Sequence, residues 1–496
     1  MAFLPKKKEK KMRKLIFIFF VLMNSYSFAS CKLFNEDTPI QEGGRVKPYY
    51  VYATETLKYL IGKTKFENKK AKEVICLIYK NSIELDYTIQ HNQLREFLNV
   101  EKSISSTDAE SKKELIKAEY LQQKLNTSYK KALILLLNKI TIYQNIKSGM
   151  AFSIFIDHQG EKQWAPVALF KDFKSLRKKV KASKNLYIDA QNDTFLLELK
   201  FSKSHLFSYS MLLAIFAIFV LVLTKKSWLN HFFIIATLLL QVIGITLRVI
   251  ISGRAPITNM YETVLFSGFG ALFIGYIIFF VKKEKLYLLA GLGYNVLCLF
   301  MMMFANNMLS SSISPLVPVL RDNFWLSTHV TTIILSYAAL ALSWMLANIA
   351  LFRLRFGKIE KRELNDYFNH IYNCIKVGVV LLSAGIILGG IWADYSWGRF
   401  WGWDPKETWS LIVLLFYMAI LHGKYSNWIN NNRFITLSAF GFLTVMMAWF
   451  GVNYILASGL HSYGFSEGGA IFLGTFFATQ IIFILVTTIR LPKSIN

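Results

Sequence analysis

Cysteine is scarce in this chain, with four in 496 residues, at positions 31, 76, 298 and 374. So few, so scattered, do not make a disulfide scaffold. No CxxC or CxxCH occurs, which argues against thioredoxin-like redox chemistry and against the chain itself being a c-type cytochrome. Neither a Walker A P-loop nor a GxGxxG opening a βαβ unit is present, so nucleotide-driven chemistry has no support. Acidic residues are few as well: 31 Asp+Glu stand against 57 Lys+Arg, a net charge of +26. In a water-soluble protein that excess would point to nucleic acid. Here the cations fall in short loops between long apolar runs and in one polar domain, so the charge reads as membrane topology and nucleic acid is excluded as a partner. Charged residues make up 18% of the chain and hydrophobic ones 54%, where soluble proteins carry about a quarter charged.

Residues 1–30 hold a basic stretch, Lys6 to Lys14, then an apolar core from Leu15 to Met23, then small residues at Ser27, Ala29 and Ser30. Nine apolar residues fall short of the roughly 20 that a spanning helix needs. The segment has the form of a secretory signal peptide, cleaved after Ala29 or Ser30, with Met12 as an alternative start. Phe28-Ala-Ser-Cys31 also has the form of a lipoprotein cleavage site, which would acylate Cys31. Residues 31–205 are polar, and their longest apolar run, ALILLL at 132–137, is too short to span. Residues 104–140 have a helical, Lys- and Glu-rich pattern. Residues 151–157 and 164–170 read as strands joined by His158-Gln159-Gly160-Glu161. This is expected to be an exported, soluble α+β domain, in which an unacylated Cys31 has Cys76 as a candidate partner.

From 206 onward nine apolar spans follow, near 206–224, 231–251, 262–281, 286–305, 329–353, 372–391, 409–423, 434–451 and 470–489. Only helices satisfy their own backbone in lipid from one chain segment. The expected fold is an all-α polytopic membrane protein with about nine transmembrane helices behind an N-terminal exported α+β domain. A first helix and linker, 206–228, lead into a membrane domain at 229–496. The seventh run, about 15 residues, predicts ends close to the interfaces. With residues 31–205 outside, fourteen Lys and Arg fall in the inside loops and only Arg254, Arg321, Arg399 and Lys406 in the outside ones. That is the positive-inside bias of a multi-pass protein in a bacterial cytoplasmic membrane, with the C-terminus cytoplasmic.

Five of the 11 tryptophans crowd into residues 392–409, WADYSWGRFWGWDPKETW: Trp392, Trp397, Trp401, Trp403 and Trp409. Asp394, Asp404, Glu407, Gly398 and Gly402 are interleaved with them. Two readings compete: an aromatic belt at the interface, or a set of flat faces for a broad, flat, apolar ligand. His329 at the start of the fifth span and His461 after the eighth share the leaflet of this segment. Each is either an interfacial polar residue or a ligand, and two imidazoles on opposite faces make a bis-His haem site. His422, 13 residues after Trp409 and roughly 20 Å deeper, is either an intramembrane functional residue or one snorkelling to the interface beside Lys424. His231 lies at similar depth. Arg254 and Glu262 flank Pro256 before the third span, and Ser314 to Asp322 leads to Trp325 and His329. Arg254, Arg321, Arg399 and Lys406 are candidate partners for haem propionates.

Trp397-Gly-Arg-Phe-Trp-Gly-Trp-Asp-Pro-Lys-Glu-Thr-Trp409 closely resembles the WWD motif of haem-handling proteins in cytochrome c biogenesis. More narrowly it resembles CcsA, the system II synthase subunit, also found fused to its partner as CcsBA. GRAPITNMYE at 253–262, PLVPVL with Trp325 and His329, Leu421-His422 and Gly459 to Gly464 support the likeness, which covers about 229–496. The resemblance implies a protein that moves haem b, as cargo, to the outer face and presents it to the CxxCH of apocytochrome c. Thioether bonds then form, and thiol-reducing proteins serve indirectly. It implies His329 and His461 as iron ligands over the tryptophan segment 392–409, and His422 on an inner haem site. One span before the CcsA-like region is fewer than a full CcsB part supplies. The second inner ligand is then His231, or it comes from a separate CcsB-like subunit. Competing readings are a haem exporter or carrier that serves another lyase, a general permease, and a scaffold for a cytochrome complex. Holocytochrome c synthase activity, alone or with a partner, is the enzyme reading.

Overall fold

The computed structural model describes residues 31–123, 128–170, 172–224, 227–305, 308–316, 321–357, 360–456 and 469–489. The signal-peptide-like segment, His461 and its surrounding motif lie outside them. Two compact units divide between Leu199 and Lys200.

The first unit is built on a four-stranded antiparallel sheet. Its strands are β1 (Pro39–Glu42), β2 (Arg45–Pro48), β3 (Ser153–His158) and β4 (Glu161–Pro166), in the order β2-β1-β3-β4. Both hairpins turn on two residues with positive φ, Gly43-Gly44 and Gln159-Gly160. Such mirror-image turns match the right-handed twist of the flanking strands. The expected hairpin is therefore present, but its second strand sits earlier than 164–170. Pro166 has no N–H to give the ladder, and Val167–Leu169 forms a 3-10 turn instead. Helices Tyr49–Ile61, Ala71–Tyr79 and Ser128–Ser148 supply most of the core, with Tyr49, Leu57, Leu60, Val74 and Leu133 wholly buried. Cys31 and Cys76 form a disulfide across a separation of 45 residues. A sulfur in that bond has no thiol to acylate.

In the second unit, nine helices among the described residues are long and apolar enough to cross a membrane. They are α1 (Leu206–Leu223), α2 (Ser227–Ser252), α3 (Met260–Lys282), α4 (Lys285–Phe304), α5 (Asn323–Phe356), α6 (Lys361–Trp397), α7 (Pro405–Tyr425), α8 (Asn431–Leu456) and α9 (Gly469–Thr488). The expected fold class holds. Two lengths differ from the apolar runs. At 37 residues, or about 55 Å, α6 outruns a hydrocarbon core. The 21 residues of α7 cross one comfortably. The apolar run hid the first turn of α7 because that turn is Pro-Lys-Glu-Thr. Pro405 opens it, and Asp404 and Glu407 cap each other's backbone N–H groups in a reciprocal box.

Small residues bring the backbones together, as helix contacts in lipid favour. A Cβ on Gly275 of α3 would lie 2.8 Å from the Tyr287 carbonyl of α4, and one on Gly378 of α6 would meet Leu340 of α5 at 2.6 Å. Buried amides add direction. Gln241 of α2 and Asn295 of α4 exchange hydrogen bonds of 3.0 and 3.1 Å, and Gln241 also donates to Ser210 of α1. Gln480 of α9 donates to Asn348 of α5.

Candidate functional site: a tryptophan-lined cleft

The start of α3, the start of α5, the α6–α7 junction and the end of α8 converge on one end of the bundle. The cleft between them holds about 1200 Å³ of empty space, counting its open mouth. Two of these four helix ends are π-wound, Leu326–Val330 in α5 and Met447–Leu456 in α8. Wider π turns are rare and concentrate at functional sites. The first carries His329, and the second carries Trp449 and Asn453.

His329 lines the cleft, and its orientation is set by α6. Its Nδ1–H donates to the Gly385 carbonyl oxygen at 2.8 Å. A carbonyl can only accept, so Nδ1 carries a proton, and in the neutral ring the lone pair is on Nε2. This is the tautomer and second-shell arrangement of metal-ligating histidines. One turn further along α6, the imidazole lies over Gly389. A Cβ there would come within 2.6 Å of Cε1 and 3.0 Å of Nδ1. The next residue, Gly390, makes equal room for the Phe400 ring. Trp392 packs edge-on against His329 at 5.8 Å and is buried, with no hydrogen-bond partner for its Nε1–H among the described residues.

Trp397 ends α6, and Gly398 turns the chain with φ +66°. In the turn that follows, the Arg399 guanidinium stands over the Trp397 ring and fills the space where Gly402 has no side chain. Its Nη1 donates to Glu407 Oε1 at 3.2 Å, while Glu407 Oε2 accepts the Gly402 N–H at 2.7 Å. Asp404 accepts the N–H groups of Lys406 and Glu407. Both carboxylates are thus engaged in shaping the turn that presents the indoles. Trp392, Trp397, Trp401, Lys406 and Glu407 line the cleft. Trp403 is instead mostly exposed, and Trp409 packs into the bundle core.

Of the four candidate propionate partners only Lys406 lines the cleft, its Nζ 3.4 Å from Asn453 Oδ1. Arg254 reaches the Ser314 carbonyl, and Arg321 donates to the Leu316 carbonyl. Arg254 and Glu262 flank Pro256 in sequence, but no ion pair joins them among the described residues. The partner of Glu262 is Arg248 of α2, at 2.7 Å, in an ion pair buried on both sides. Arg248 also donates to the Ser311 carbonyl, and Glu262 Oε2 accepts from both the backbone N–H and the hydroxyl of Thr258. This network fixes residues 257–260, which form one wall of the cleft.

Sequence reasoning missed Tyr337, Trp449 and Asn453. Trp449 donates to Thr263 Oγ1 at 3.2 Å, and Asn453 links Lys406 to Met260. A lone asparagine in an apolar run eight residues before His461 was an available signal.

At the other end of the bundle the histidines do not assemble. His422 is exposed, its Nδ1–H donating to the Met418 carbonyl of its own helix. The partners of His231 are all on α3: a 2.9 Å hydrogen bond to Tyr276 and ring contacts with Phe279 and Phe280. His370 of α6 is bonded to Tyr287 of α4.

Residues 257–461 match the family model described as cytochrome C assembly protein. The chain is 35% identical over 244 residues to the cytochrome c biogenesis protein CcsA of Guillardia theta, covering 44% of this chain and 79% of the relative. This chain belongs to the CcsA family of cytochrome c biogenesis proteins. To CcsA of Prochlorococcus marinus (strain MIT 9312) it is 34% identical over 282 residues, 50% of this chain and 88% of the relative. To Protein NrfI of Wolinella succinogenes it is 36% identical over 235 residues, 45% of this chain and 25% of that protein. CcsA membership makes the chain an integral membrane protein of cytochrome c biogenesis, and hence one that handles haem and meets apocytochrome c. The matched segment contains every residue that lines the cleft.

Proposed function

We propose that the cleft receives haem b as cargo and presents it to the CxxCH segment of apocytochrome c. The single observation that carries this reading is His329. It donates Nδ1–H to the Gly385 carbonyl, over a residue with no side chain, in a cleft lined by four indoles. His329 is one axial ligand. His461, which follows the π-wound end of α8 in sequence, is the other. Lys406 and the Trp392 N–H are the propionate partners. In the attachment step each cysteine thiol adds across a haem vinyl group, sulfur to the carbon next to the ring and the proton to the terminal carbon. No net oxidation occurs, so the chain's contribution is proximity and orientation. The histidine of CxxCH replaces one axial imidazole and so favours release. Charge bias and the form of residues 1–30 support a cleft on the outer face of a bacterial cytoplasmic membrane.

A second reading, a haem carrier that needs a separate CcsB-like subunit, is favoured by the different partners of His231 and His422, the first on α3 and the second on its own helix. An inner haem site centred on His422 then takes its second ligand from that subunit. Co-expression with a CxxCH apocytochrome, in a bacterium lacking its own maturation pathways, separates the two on a haem-stained denaturing gel. A stained cytochrome band that disappears with His329→Ala or His461→Ala supports the synthase. A bis-His haem spectrum in the purified protein without a band supports the carrier. Neither band nor haem contradicts both.

A further inference from the structure

The first unit lies outside the family match and carries a surface that the cleft does not explain. Three large apolar side chains stand exposed together: Met150 (60%), Leu169 (70%) and Phe173 (47%). Their grouping is fixed by backbone and ring contacts. The Ala168 N–H donates to the Gly149 carbonyl at 2.9 Å, which sets Met150 beside Leu169. The Tyr79 ring lies against both Gly149 and Phe173, and Lys80 stands over the Phe173 ring at 5.4 Å. Phe173 opens a helix, Phe173–Ala190, that buries Leu176, Val180, Ser183 and Tyr187. Its opposite face exposes Lys174, Arg177, Lys178 and Lys181. None of these four is in an ion pair among the described residues. The nearest acid in sequence, Asp172, is occupied in capping the helix, accepting from the Lys174 and Ser175 N–H groups.

We propose that this face docks on an anionic lipid surface, with Met150, Leu169 and Phe173 entering the headgroup boundary and the cations lying over phosphates. Apolar residues beside an unpaired basic helical face are the composition of interfacial membrane binding. Exposed apolar side chains that cluster, unlike ones scattered singly, suit an interaction surface. The occupant follows from the chain itself. The basic helix ends at Ala190, and the first membrane helix begins at Leu206, 16 residues on. The domain that carries this face is therefore tethered by the chain itself to a bilayer, and the face's apolar and basic composition complements an anionic one.

The test is hydrogen exchange of the full-length chain in nanodiscs of phosphatidylcholine alone and of phosphatidylcholine with three-tenths phosphatidylglycerol. Amides of 149–150 and 167–182 are expected to gain protection only on the anionic discs. Raising the salt to 1 M, where the screening length falls to about 3 Å, removes most of the gain. Replacing Lys174, Arg177 and Lys178 by Gln reduces the docking equilibrium constant by about fivefold for each cation lost. Leu169→Glu removes the gain while the amides of Ser128–Ser148 keep their protection, which shows an intact fold. Equal exchange on both discs overturns the proposal. So does protection that appears only when an apocytochrome is added and is indifferent to phosphatidylglycerol, because the face is then a protein dock.

Discussion

The two ends of the membrane bundle treat histidine in opposite ways. At the cleft end, His329 is oriented from a neighbouring helix by a carbonyl at 2.8 Å, and a glycine leaves its ring room. At the other end, His422 is exposed and bonded to its own helix, while His231 and His370 each take a separate tyrosine. A ligand whose second shell lies on another helix is preorganised by tertiary structure. One whose side-chain partner among the described residues is four residues back along its own helix is not. The cleft end thus holds its histidine in one orientation through tertiary contacts, and the opposite end does not bring its histidines together.

That contrast can be broken by substitution. The largest effect is expected from His329→Ala, which reduces holocytochrome yield at least about 100-fold, since ligand loss exceeds the 10- to 100-fold cost of losing a second-shell partner. His422→Ala should leave more activity, and equal losses would erase the distinction between the ends. Arg248→Met strands the Glu262 carboxylate and should destabilise the cleft wall by about 3–5 kcal/mol, read as faster proteolysis in the 253–262 loop. Arg248→Met with Glu262→Met should recover much of it. Opening Cys31–Cys76 by a double Ser substitution should destabilise the first unit by about 4 kcal/mol in the chain-entropy account. It should leave haem binding unchanged, because the disulfide and the cleft belong to different units. Gly389→Ala puts a methyl into the imidazole and should weaken haem binding about 10-fold or more, with a shifted Soret band; Gly474→Ala, where a Cβ meets open space, is its control.

The smallest expected effect is pH dependence in the first unit. Burial alone would lower the pKa of Lys47, but the Glu55 and Glu42 carboxylates at 3.1 and 2.9 Å outweigh it and leave the ammonium raised. A raised lysine stabilises the fold fully below its unfolded value, and that contribution is lost as pH rises through the folded one. The thermal stability of the first unit should therefore fall at strongly alkaline pH, and Lys47→Met should flatten that slope.

Much of this was legible in the sequence. Nine apolar runs became nine helices because lipid leaves a single segment no other structure. The tryptophan segment and His329 were legible because residue types that suit haem are rare together. What escaped was contact between distant segments. Nothing in the order of residues joins Arg248 to Glu262 in preference to Arg254, which stands nearer in the chain. Gly385 offers only its backbone, and Gly389 acts by having no side chain. Trp449 and Asn453 reach the cleft from a helix whose π-winding has no simple sequence signal. Polar caps also disguised an end, since the opening turn of α7 contains Lys406 and Glu407.

The most direct test of the account is the absorption spectrum of the purified, haem-loaded protein with and without His329→Ala, before and after adding free imidazole. The account predicts a six-coordinate low-spin spectrum for the unaltered chain, its loss in His329→Ala and its return with imidazole. An unchanged low-spin spectrum in His329→Ala would mean that the cleft histidine does not hold the iron.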